Sequence, residues 1–442
     1  MGLRIIYGRA GSGKSEYCYK EIAKDIEKNE KIFLITPEQF SFTAEKKLME
    51  AVKTEAVLQA EVVHLSRLAK RVIKEIGIKD DRMSKCGKAM LISHILTMQK
   101  KDLKYLSKSE ENINLAISSI TELKKHGVTV EMLKEQIDKT ENIYLKTKLQ
   151  DISVIYEQYD EQIKQSYIDE ADELAILAEN IENIKWLKNS VIYIDEFAGF
   201  TYSEYQVIKG LIKYAKQVNI TITVDNLEQT LNPDTDIFYA NKITVKKLQD
   251  IVSQNELKLE KPIKMLEVKR FKTPELKYIE GNLFKTQSTK YEQKVENLSM
   301  FLAKNQYTEI EYIAKEITKL VKEKKKRYND IAIITKNIQS YSNLARVIFE
   351  KYDIPIFIDE KRELSQNIII QYVLSIFEIL QKNYSKESVF QYAKMGFLEI
   401  EQSDIFKLEN YCTKWGIKQN KFKKDFVYEL EKNKQEIEYY NE

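Results

Sequence analysis

The sequence predicts an α/β protein with a parallel sheet, a large all-helical insertion, and a second α/β region followed by further helices. Short apolar runs alternate with helical stretches over residues 1–84 and again over residues 189–290, an alternation typical of a parallel sheet. Residues 85–188 carry apolar side chains at helical spacing without a strand pattern. Alternation resumes over residues 291–364, and residues 365–442 are helical. We therefore expect a first domain in two pieces around an insertion, then the truncated start of a second domain.

Individual elements follow from the same patterns. The predicted strands of the first domain are residues 4–7, 31–36, 61–64, 191–194 and 218–224, and its first helix is residues 16–28. The last two of these strands end at carboxylates, Asp195 and Asp225. In the second region the patterns predict helices at residues 308–322 and 341–352 and strands at residues 330–334 and 354–358. The lysine-rich stretch between the two regions has little strand signal.

A glycine-rich motif follows the first strand. It consists of Gly8, Arg9, Ala10, Gly11, Ser12, Gly13, Lys14 and Ser15. In such a P-loop the glycines let backbone N–H groups face phosphate oxygens, the lysine reaches the β- and γ-phosphates, and the serine can bind Mg²⁺. A chance glycine-rich turn is the alternative, but the preceding strand and following helix favour a nucleotide site.

Two acids end the strand at residues 191–194. A carboxylate at the end of a buried parallel strand can reach Mg²⁺ beside the P-loop, and Asp195 has that place. Glu196 could then act as a general base toward water. Taken alone, the pair could be a solvated strand end. Together with the P-loop it indicates a catalytic pair.

Residues 36–42 follow the second strand as a predicted irregular loop. It contains two aromatic residues, Phe40 and Phe42, that could stack on the bases of a single strand. The alternative is that both rings are core residues that anchor the loop. The sequence leaves this choice open.

Composition excludes several other classes. The 71 Lys and Arg residues nearly balance 68 Asp and Glu residues, so nucleic acid would have to be bound by local patches. No apolar run is long enough to span a bilayer and no signal sequence is recognisable, so we expect a cytoplasmic protein. The cysteines, Cys18, Cys86 and Cys412, are too dispersed for a zinc site, a disulfide framework or an iron–sulfur cluster.

Several segments together resemble the superfamily 1 DNA helicases of the UvrD/RecB type, and more closely the AddB (RexB) family of the bacterial AddAB helicase–nucleases. The match extends over nearly the whole chain. Its segments are residues 4–15, 36–48, 65–69, 167–174, 191–204 and 309–355.

The resemblance implies a RecA-like first domain, a helical insertion, the opening of a second RecA-like domain, and the start of a further insertion. It implies ATP and Mg²⁺ as cofactors, with Ser15 and Asp195 on the metal. It also implies an AddA-type helicase–nuclease partner in a heterodimer, binding of double- and single-stranded DNA, and a role in processing double-strand breaks for homologous recombination with recognition of a Chi signal. The residues expected along the DNA strand are Pro37, Gln39, Phe40, Phe42, Ser66 and Arg67.

Departures from the family pattern limit this expectation. The third helicase motif usually contains Gly-Asp-x-x-Gln, whereas residues 224–227 read Val-Asp-Asn-Leu. Lys336 stands where an ATP-contacting arginine is expected, and lysine lacks the forked geometry of arginine. We therefore expect nucleotide binding with a weak or absent motor, and the nuclease and iron–sulfur cluster only in a C-terminal region outside these residues. Two alternatives stay open: a nucleotide-independent DNA-binding scaffold with a relic P-loop, and a small-molecule P-loop kinase.

Overall fold

The chain divides into two compact units, Met1–Ser299 and Met300–Glu442. The computed structural model describes residues 2–28, 30–52, 59–78, 82–106, 112–164, 167–169, 171–228, 232–265, 267–283, 285, 289–360, 364–428 and 434–441. Within these ranges, no helix combines the length and apolar character that crossing a membrane requires.

A seven-stranded sheet forms the centre of the first unit. Its strands are β1 (Gly2–Gly8), β2 (Lys31–Ile35), β3 (Ala60–Val63), β4 (Ser190–Ile194), β5 (Gln217–Thr223), β6 (Lys258–Leu259) and β7 (Ile263–Lys264). The order is β3-β2-β4-β5-β1-β6, β7 also pairs with β1, and the registered pairs are parallel. The strands β1 to β5 confirm the predicted ones. The short strands β6 and β7 lie in the lysine-rich stretch. The expectation that this stretch has few strands was therefore wrong.

Helices cover both faces of this sheet. The described helices of the unit are α1 (Lys14–Glu27), α2 (Ser41–Val52), α3 (Leu65–Glu75), α4 (Lys85–Met98), α5 (Asn112–Lys125), α6 (Val130–Asp138), α7 (Ile143–Lys164), α8 (Glu173–Asn180), α9 (Lys185–Lys188), α10 (Tyr202–Tyr214), α11 (Tyr239–Gln254) and α12 (Pro274–Asn282). Alternate side chains of a strand point to opposite faces. In β2, Phe33 and Ile35 therefore join a core with α3, α8 and α10, whereas Ile32 and Leu34 join another with α1 and α2.

The helical insertion has a core of its own. Ile92 of α4, Ile120 of α5, Leu133 of α6 and Ile155 of α7 all belong to one buried cluster. Because this cluster is separate from the two sheet cores, α4 to α7 form a distinct packing unit, whereas Leu177 of α8 and Leu187 of α9 belong to the sheet core with α3 and α10. The helical character predicted for residues 85–188 is confirmed in the described part of that range.

A buried ionic network fastens the insertion to the segment that follows α7. Asp169, which is 2% exposed, accepts hydrogen bonds from the ammonium group of Lys88 and, at 2.8 Å, from the hydroxyl of Tyr159. Burial alone would raise the pKa of Asp169, but the hydrogen bonds from Lys88 and the Ala171 N–H, together with the charges of Lys88 and Lys124, lower it. Lys124 lies 2.7 Å from Asp172 and 2.9 Å from Asp160. Burial lowers the pKa of Lys124, but these two acids and Asp169 together keep it above the usual range. The ions are paired, as buried charges must be.

The second unit is helical in its described part. Its helices are α13 (Gln306–Lys324), α14 (Ser342–Lys351), α15 (Ile368–Gln381), α16 (Lys386–Ala393), α17 (Gln402–Lys414) and α18 (Lys434–Asn441). The helices predicted at residues 308–322 and 341–352 are confirmed by α13 and α14. The strands predicted at residues 330–334 and 354–358 are wrong: neither stretch is paired as a β-strand. Both carry the apolar pattern of a buried strand, but a strand also needs a partner, and no described segment of this unit supplies one.

Candidate functional site

The P-loop connects the end of β1 to the start of α1. Gly11 and Gly13 have φ angles of +76° and +85°, which L-residues with a side chain adopt at a cost. A Cβ at Gly8 would stand 2.7 Å from the carbonyl oxygen of Met265, and one at Gly11 would stand 2.5 Å from the Cβ of Arg270. These glycines therefore permit both the turn and the close approach of the segment after β7.

Lys14 is held by its own loop. Its ammonium group donates to the carbonyl oxygens of Gly8 at 3.0 Å and Arg9 at 3.1 Å. Burial lowers the pKa of Lys14, and the nearby carboxylates of Asp195 and Glu196 partly offset this effect. The lysine thus reaches the same space as the two acids.

The acidic pair follows β4 directly. Asp195 is 2% exposed, and its Oδ1 accepts a hydrogen bond from the hydroxyl of Thr221 on β5. Its Oδ2 is buried and has no hydrogen-bond partner among the described atoms. Glu196 adopts φ +66°, and its Oε1 accepts a hydrogen bond from the Ser15 hydroxyl at 3.2 Å. The structure thus brings Ser15, Asp195 and Glu196 together, as the sequence predicted.

Sheet order explains this convergence. Because β5 lies between β1 and β4 and the three strands are parallel, their carboxyl ends open on one edge. The P-loop, Thr221 and Asp195 occupy that edge, where ligands of open parallel sheets bind.

A cavity of about 630 Å³ lies at this edge. Its lining residues are Ala10, Gly11, Gly13, Lys14, Ser15, Glu16, Lys47, Asp195, Glu196, Phe197, Ala198, Thr221, Thr223, Asn241, Lys269 and Arg270. Four cations are among them, which gives the cavity the chemistry of a polyphosphate site.

Sequence reasoning missed three of those cations. Lys47 comes from α2, and Lys269 and Arg270 follow β7. The backbone N–H groups of Lys269 and Arg270 donate to the carbonyl oxygen of Gly11 at 2.8 and 3.1 Å, which fixes this segment against the P-loop. The available signal was two basic residues after a stretch in which Lys264 and Glu267 interrupt the apolar residues, and a two-residue strand such as β7 is too short for a pattern to reveal.

Not every P-loop side chain faces the cavity. Arg9 donates from Nε to Glu280 of α12 at 2.6 Å, and its guanidinium carbon lies 5.2 Å from the ring centre of Phe238. Ser12 is buried, and its hydroxyl has no hydrogen-bond partner in the described structure. Arg9 therefore braces the loop against α12, so any contribution it makes to a ligand is through its backbone.

The donor set suits Mg²⁺ that arrives with phosphates. Asp195 offers a buried, unpartnered Oδ2, and Ser15 offers a hydroxyl close by. Within the described ranges, no group of three or more His, Cys, Asp or Glu side chains is arranged to hold a metal by itself. Mg²⁺ commonly uses one or two protein ligands, with substrate phosphates and water completing its shell, so these residues fit that metal.

The candidate DNA-binding residues lie at the ends of β2 and β3. These neighbouring strands are continued by a hydrogen bond of 3.0 Å from Thr36 N–H to the carbonyl oxygen of Val63. The predicted irregular loop is wrong in part, because a 3₁₀ turn at Glu38–Phe40 runs directly into α2. Phe40 is 38% exposed and Phe42 is 78% exposed, so neither ring is a core residue.

Other predicted contacts share this edge. Gln39 and Arg67 are exposed, whereas Pro37 and Ser66 are half-buried. The side chain of His64 caps α3 by accepting the Arg67 N–H at Nδ1, at 3.2 Å, and burial lowers the pKa of this imidazole. The structure brings the predicted contacts of both loops to one edge of the sheet. Their role in DNA binding stays a prediction.

Lys336 belongs to the second unit. It follows residues 331–335, which form neither a helix nor a strand, and it is exposed. Its assignment to the nucleotide stays a prediction from the sequence.

Comparison with known proteins places this geometry in a family. A family model described as ADDB, N-terminal, matches residues 5–280, which is more than half of the chain. The chain belongs to the AddB family. Its P-loop, its acidic pair and its helical insertion all fall within the matched residues.

Named relatives of the AddB family cover almost the entire chain. A protein of Caldanaerobacter subterraneus subsp. tengcongensis is 39% identical over 440 residues, which are 98% of this chain and 38% of the relative. Proteins of Clostridium novyi and Clostridium botulinum (strain Loch Maree) are 38% and 40% identical over 95% of the chain, which covers 38% and 37% of their lengths. All three are named as one subunit of an ATP-dependent helicase/deoxyribonuclease. The chain thus spans less than half the length of these relatives.

The AddB resemblance and the α/β fold class predicted from sequence are both confirmed. The AddB-like segments have different roles in this structure. Residues 4–15 and 191–204 contribute to the cavity, residues 36–48 and 65–69 form the neighbouring edge of the sheet, and Lys47 of residues 36–48 also lines the cavity. Residues 167–174 contain the buried Asp169 and serve the packing of the helical insertion.

Proposed function

We propose that this chain is the ATP- and DNA-binding part of a helicase–nuclease component that processes double-strand DNA breaks for homologous recombination. One observation carries the proposal: Lys14 and Ser15 of the P-loop share a cavity of about 630 Å³ with Asp195 and Glu196. Membership in the AddB family supports it, as do relatives that are named as a subunit of an ATP-dependent helicase/deoxyribonuclease.

In this proposal the cavity binds the triphosphate of ATP. The N–H groups of the P-loop and the ammonium group of Lys14 would hold the phosphates, with Lys47, Lys269 and Arg270 adding positive charge. Asp195 and Ser15 would hold Mg²⁺, which neutralises phosphate charge when bound. These assignments give the buried, unpartnered Oδ2 of Asp195 a role.

Glu196 would act as the general base. In the structure its Oε1 accepts the Ser15 hydroxyl proton in a hydrogen bond, at 3.2 Å. The Ser15 hydroxyl has a single proton, and in the structure it donates that proton to Oε1 of Glu196 in a hydrogen bond. Once Ser15 turns away, Oε1 can accept a proton from water instead. Its left-handed backbone at φ +66° is a strained conformation of the type that collects at functional sites.

The edge beside the cavity would hold DNA. Phe40 and Phe42 present rings to solvent, and Arg67 presents a cation at the same edge of the sheet. Aromatic stacking with a nearby cation is the usual chemistry of single-strand binding. We extend the proposal to duplex DNA, an AddA-type partner and recognition of a Chi signal because the relatives are named as one subunit of a helicase/deoxyribonuclease.

We propose that the chain's own motor is weak. Residues 224–227 lack the glutamine of the third helicase motif, and Lys336 replaces the expected arginine. Binding of nucleotide is then compatible with slow turnover. DNA-stimulated hydrolysis at the rate of a translocating motor would refute this part.

Titration of a fluorescent ATP analogue with Mg²⁺ tests the nucleotide site. Wild type should bind and Lys14→Ala should bind much more weakly, because the lysine supplies the charge next to the phosphates. Lys20→Ala is the matched control, since Lys20 lies on the exposed face of α1 and pairs with Glu16. Equal, negligible binding by wild type and Lys14→Ala would overturn the proposal and leave a scaffold with a relic P-loop. Phosphorylation of a small molecule without any response to DNA would instead indicate a kinase.

A further inference from the structure

A second surface with aromatic and basic side chains lies at one end of the helical insertion. We call it the basic–aromatic patch and define it as Lys104, Tyr105, Tyr144 and Lys148. Its backbone is firmly held, because the carboxylate of Asp151 on α7 accepts hydrogen bonds from the N–H groups of Lys104 and Tyr105. Asp151 is 3% exposed, so the turn and α7 form one rigid platform.

The rings and cations of the patch are adjacent. The ammonium group of Lys148 lies 5.7 Å from the ring centre of Tyr105. Tyr144 precedes Lys148 by one turn of α7 and therefore lies on the same face of the helix. Tyr144 is 89% exposed and Tyr105 is 55% exposed, and the neighbouring Ile143 is 77% exposed. The exposed parts of these three side chains are not needed for packing within the fold.

The patch is positively charged. Over residues 99–106 and 139–148, lysines outnumber carboxylates by six to two. Asn142 accepts the N–H of Leu145 at 3.1 Å, so the amino end of the 22-residue α7, with its positive dipole, begins beside Tyr144. The carboxylate of Asp151 already accepts hydrogen bonds from the backbone N–H groups of Lys104, Tyr105 and Leu106. Little negative charge is left to oppose a bound anion.

We propose that the basic–aromatic patch is a binding surface for single-stranded nucleic acid. The lysines contact phosphates, and the rings of Tyr144 and Tyr105 stack on unpaired bases. Exposed ring faces favour a single strand over a duplex, because duplex bases are stacked on each other and offer a protein only their edges. The proposal rests on the DNA-binding part of the proposed function and places a second contact on the helical insertion.

Fluorescence anisotropy with a labelled single-stranded oligonucleotide tests the patch. Tyr144→Ala and Tyr105→Ala should each weaken binding about tenfold or more, whereas Tyr144→Phe and Tyr105→Phe should bind as wild type does, since stacking needs the ring alone. The Lys104→Gln/Lys148→Gln double variant should reduce the slope of log affinity against log salt by about 1.4, or 0.7 per phosphate contact. Lys246→Gln on α11, an exposed lysine outside the patch, should leave the slope unchanged.

The outcomes separate this inference from the proposed function. If wild type binds the oligonucleotide and the tyrosine-to-alanine variants bind equally well, the patch is not a binding surface while the proposed function stands. An equal loss of affinity for blunt duplex DNA would contradict base stacking and refute the single-strand assignment. Failure of the wild-type chain to bind any single strand would refute both.

Discussion

Gly11→Ala is expected to release the segment after β7 from the P-loop. The new Cβ would meet the Cβ of Arg270 at 2.5 Å, and neither atom can move without its backbone. Shifting the segment breaks the hydrogen bonds from the N–H groups of Lys269 and Arg270 to the carbonyl oxygen of Gly11. Two of the cations that line the cavity would then leave their positions.

The size of the effect follows from two contributions. A residue with a side chain at φ +76° costs about 1–2 kcal/mol, and two lost hydrogen bonds cost about 1 kcal/mol each. Gly11→Ala should therefore lower the free energy of unfolding by about 3–4 kcal/mol. Gly13→Ala is the matched control, because its φ is +85° but a Cβ there has no neighbour closer than 3.7 Å. It should cost only the backbone strain of about 1–2 kcal/mol.

Urea denaturation measures the loss in the free energy of unfolding for Gly11→Ala and for Gly13→Ala. Trypsin, which cleaves after Lys269 and Arg270, reports whether the segment after β7 has been released. Cleavage at these sites should accelerate in Gly11→Ala and not in Gly13→Ala. Adding Arg270→Gly to Gly11→Ala removes the clashing Cβ and should restore about 2 kcal/mol of stability. Equal costs for the two glycine variants, with no rescue by Arg270→Gly, would refute the close approach of this segment to the P-loop.

Three further predictions concern other parts of the chain. Asp169→Asn leaves the buried Lys88 unpaired and should lower the free energy of unfolding, measured with urea, by about 3–5 kcal/mol. Glu157→Gln, which removes one partner of a surface ion pair, should lower it by under about 1 kcal/mol. Similar losses in the two variants would contradict the buried network. Because burial holds the pKa of His64 below its usual 6.5, the unfolded chain takes up the proton first. The stability of wild type relative to His64→Asn should therefore fall as the pH drops below 6.5 and stay constant above it, and a pH-independent difference would exclude the cap. Phe42→Ala should weaken single-strand binding by about 1–3 kcal/mol without changing the urea midpoint, and unfolding of this variant would mean that the ring is structural.

The sequence predicted the elements that are buried on both faces. Apolar runs such as β2 and β4 are distinctive because a strand covered on two sides needs an unbroken series of apolar residues. The P-loop and the acid after β4 were recognisable because each occupies a fixed place relative to a strand. Their meeting could be predicted from the rule that parallel strands share one carboxyl edge.

Other features depend on contacts that no local pattern records. The position of β5 between β1 and β4 is a matter of sheet topology, which no local pattern determines. Because β7 has only two residues, Lys269 and Arg270 could not be assigned to the cavity from the sequence. Residues 330–334 carry a strand pattern but have no strand partner among the described residues, which shows that the pattern reports apolar character rather than pairing. Phe42 was ambiguous because an aromatic residue after a strand suits a core as well as a surface.

Magnesium dependence of nucleotide affinity tests the central claim most directly. If Ser15 and Asp195 hold Mg²⁺ beside the P-loop, Mg²⁺ should strengthen binding of a fluorescent ATP analogue to wild type. In Asp195→Asn this strengthening should be lost, while binding without Mg²⁺ stays equal or improves as a negative charge is removed from the cavity. The same strengthening by Mg²⁺ in both proteins would contradict a shared site for the P-loop and the acid after β4.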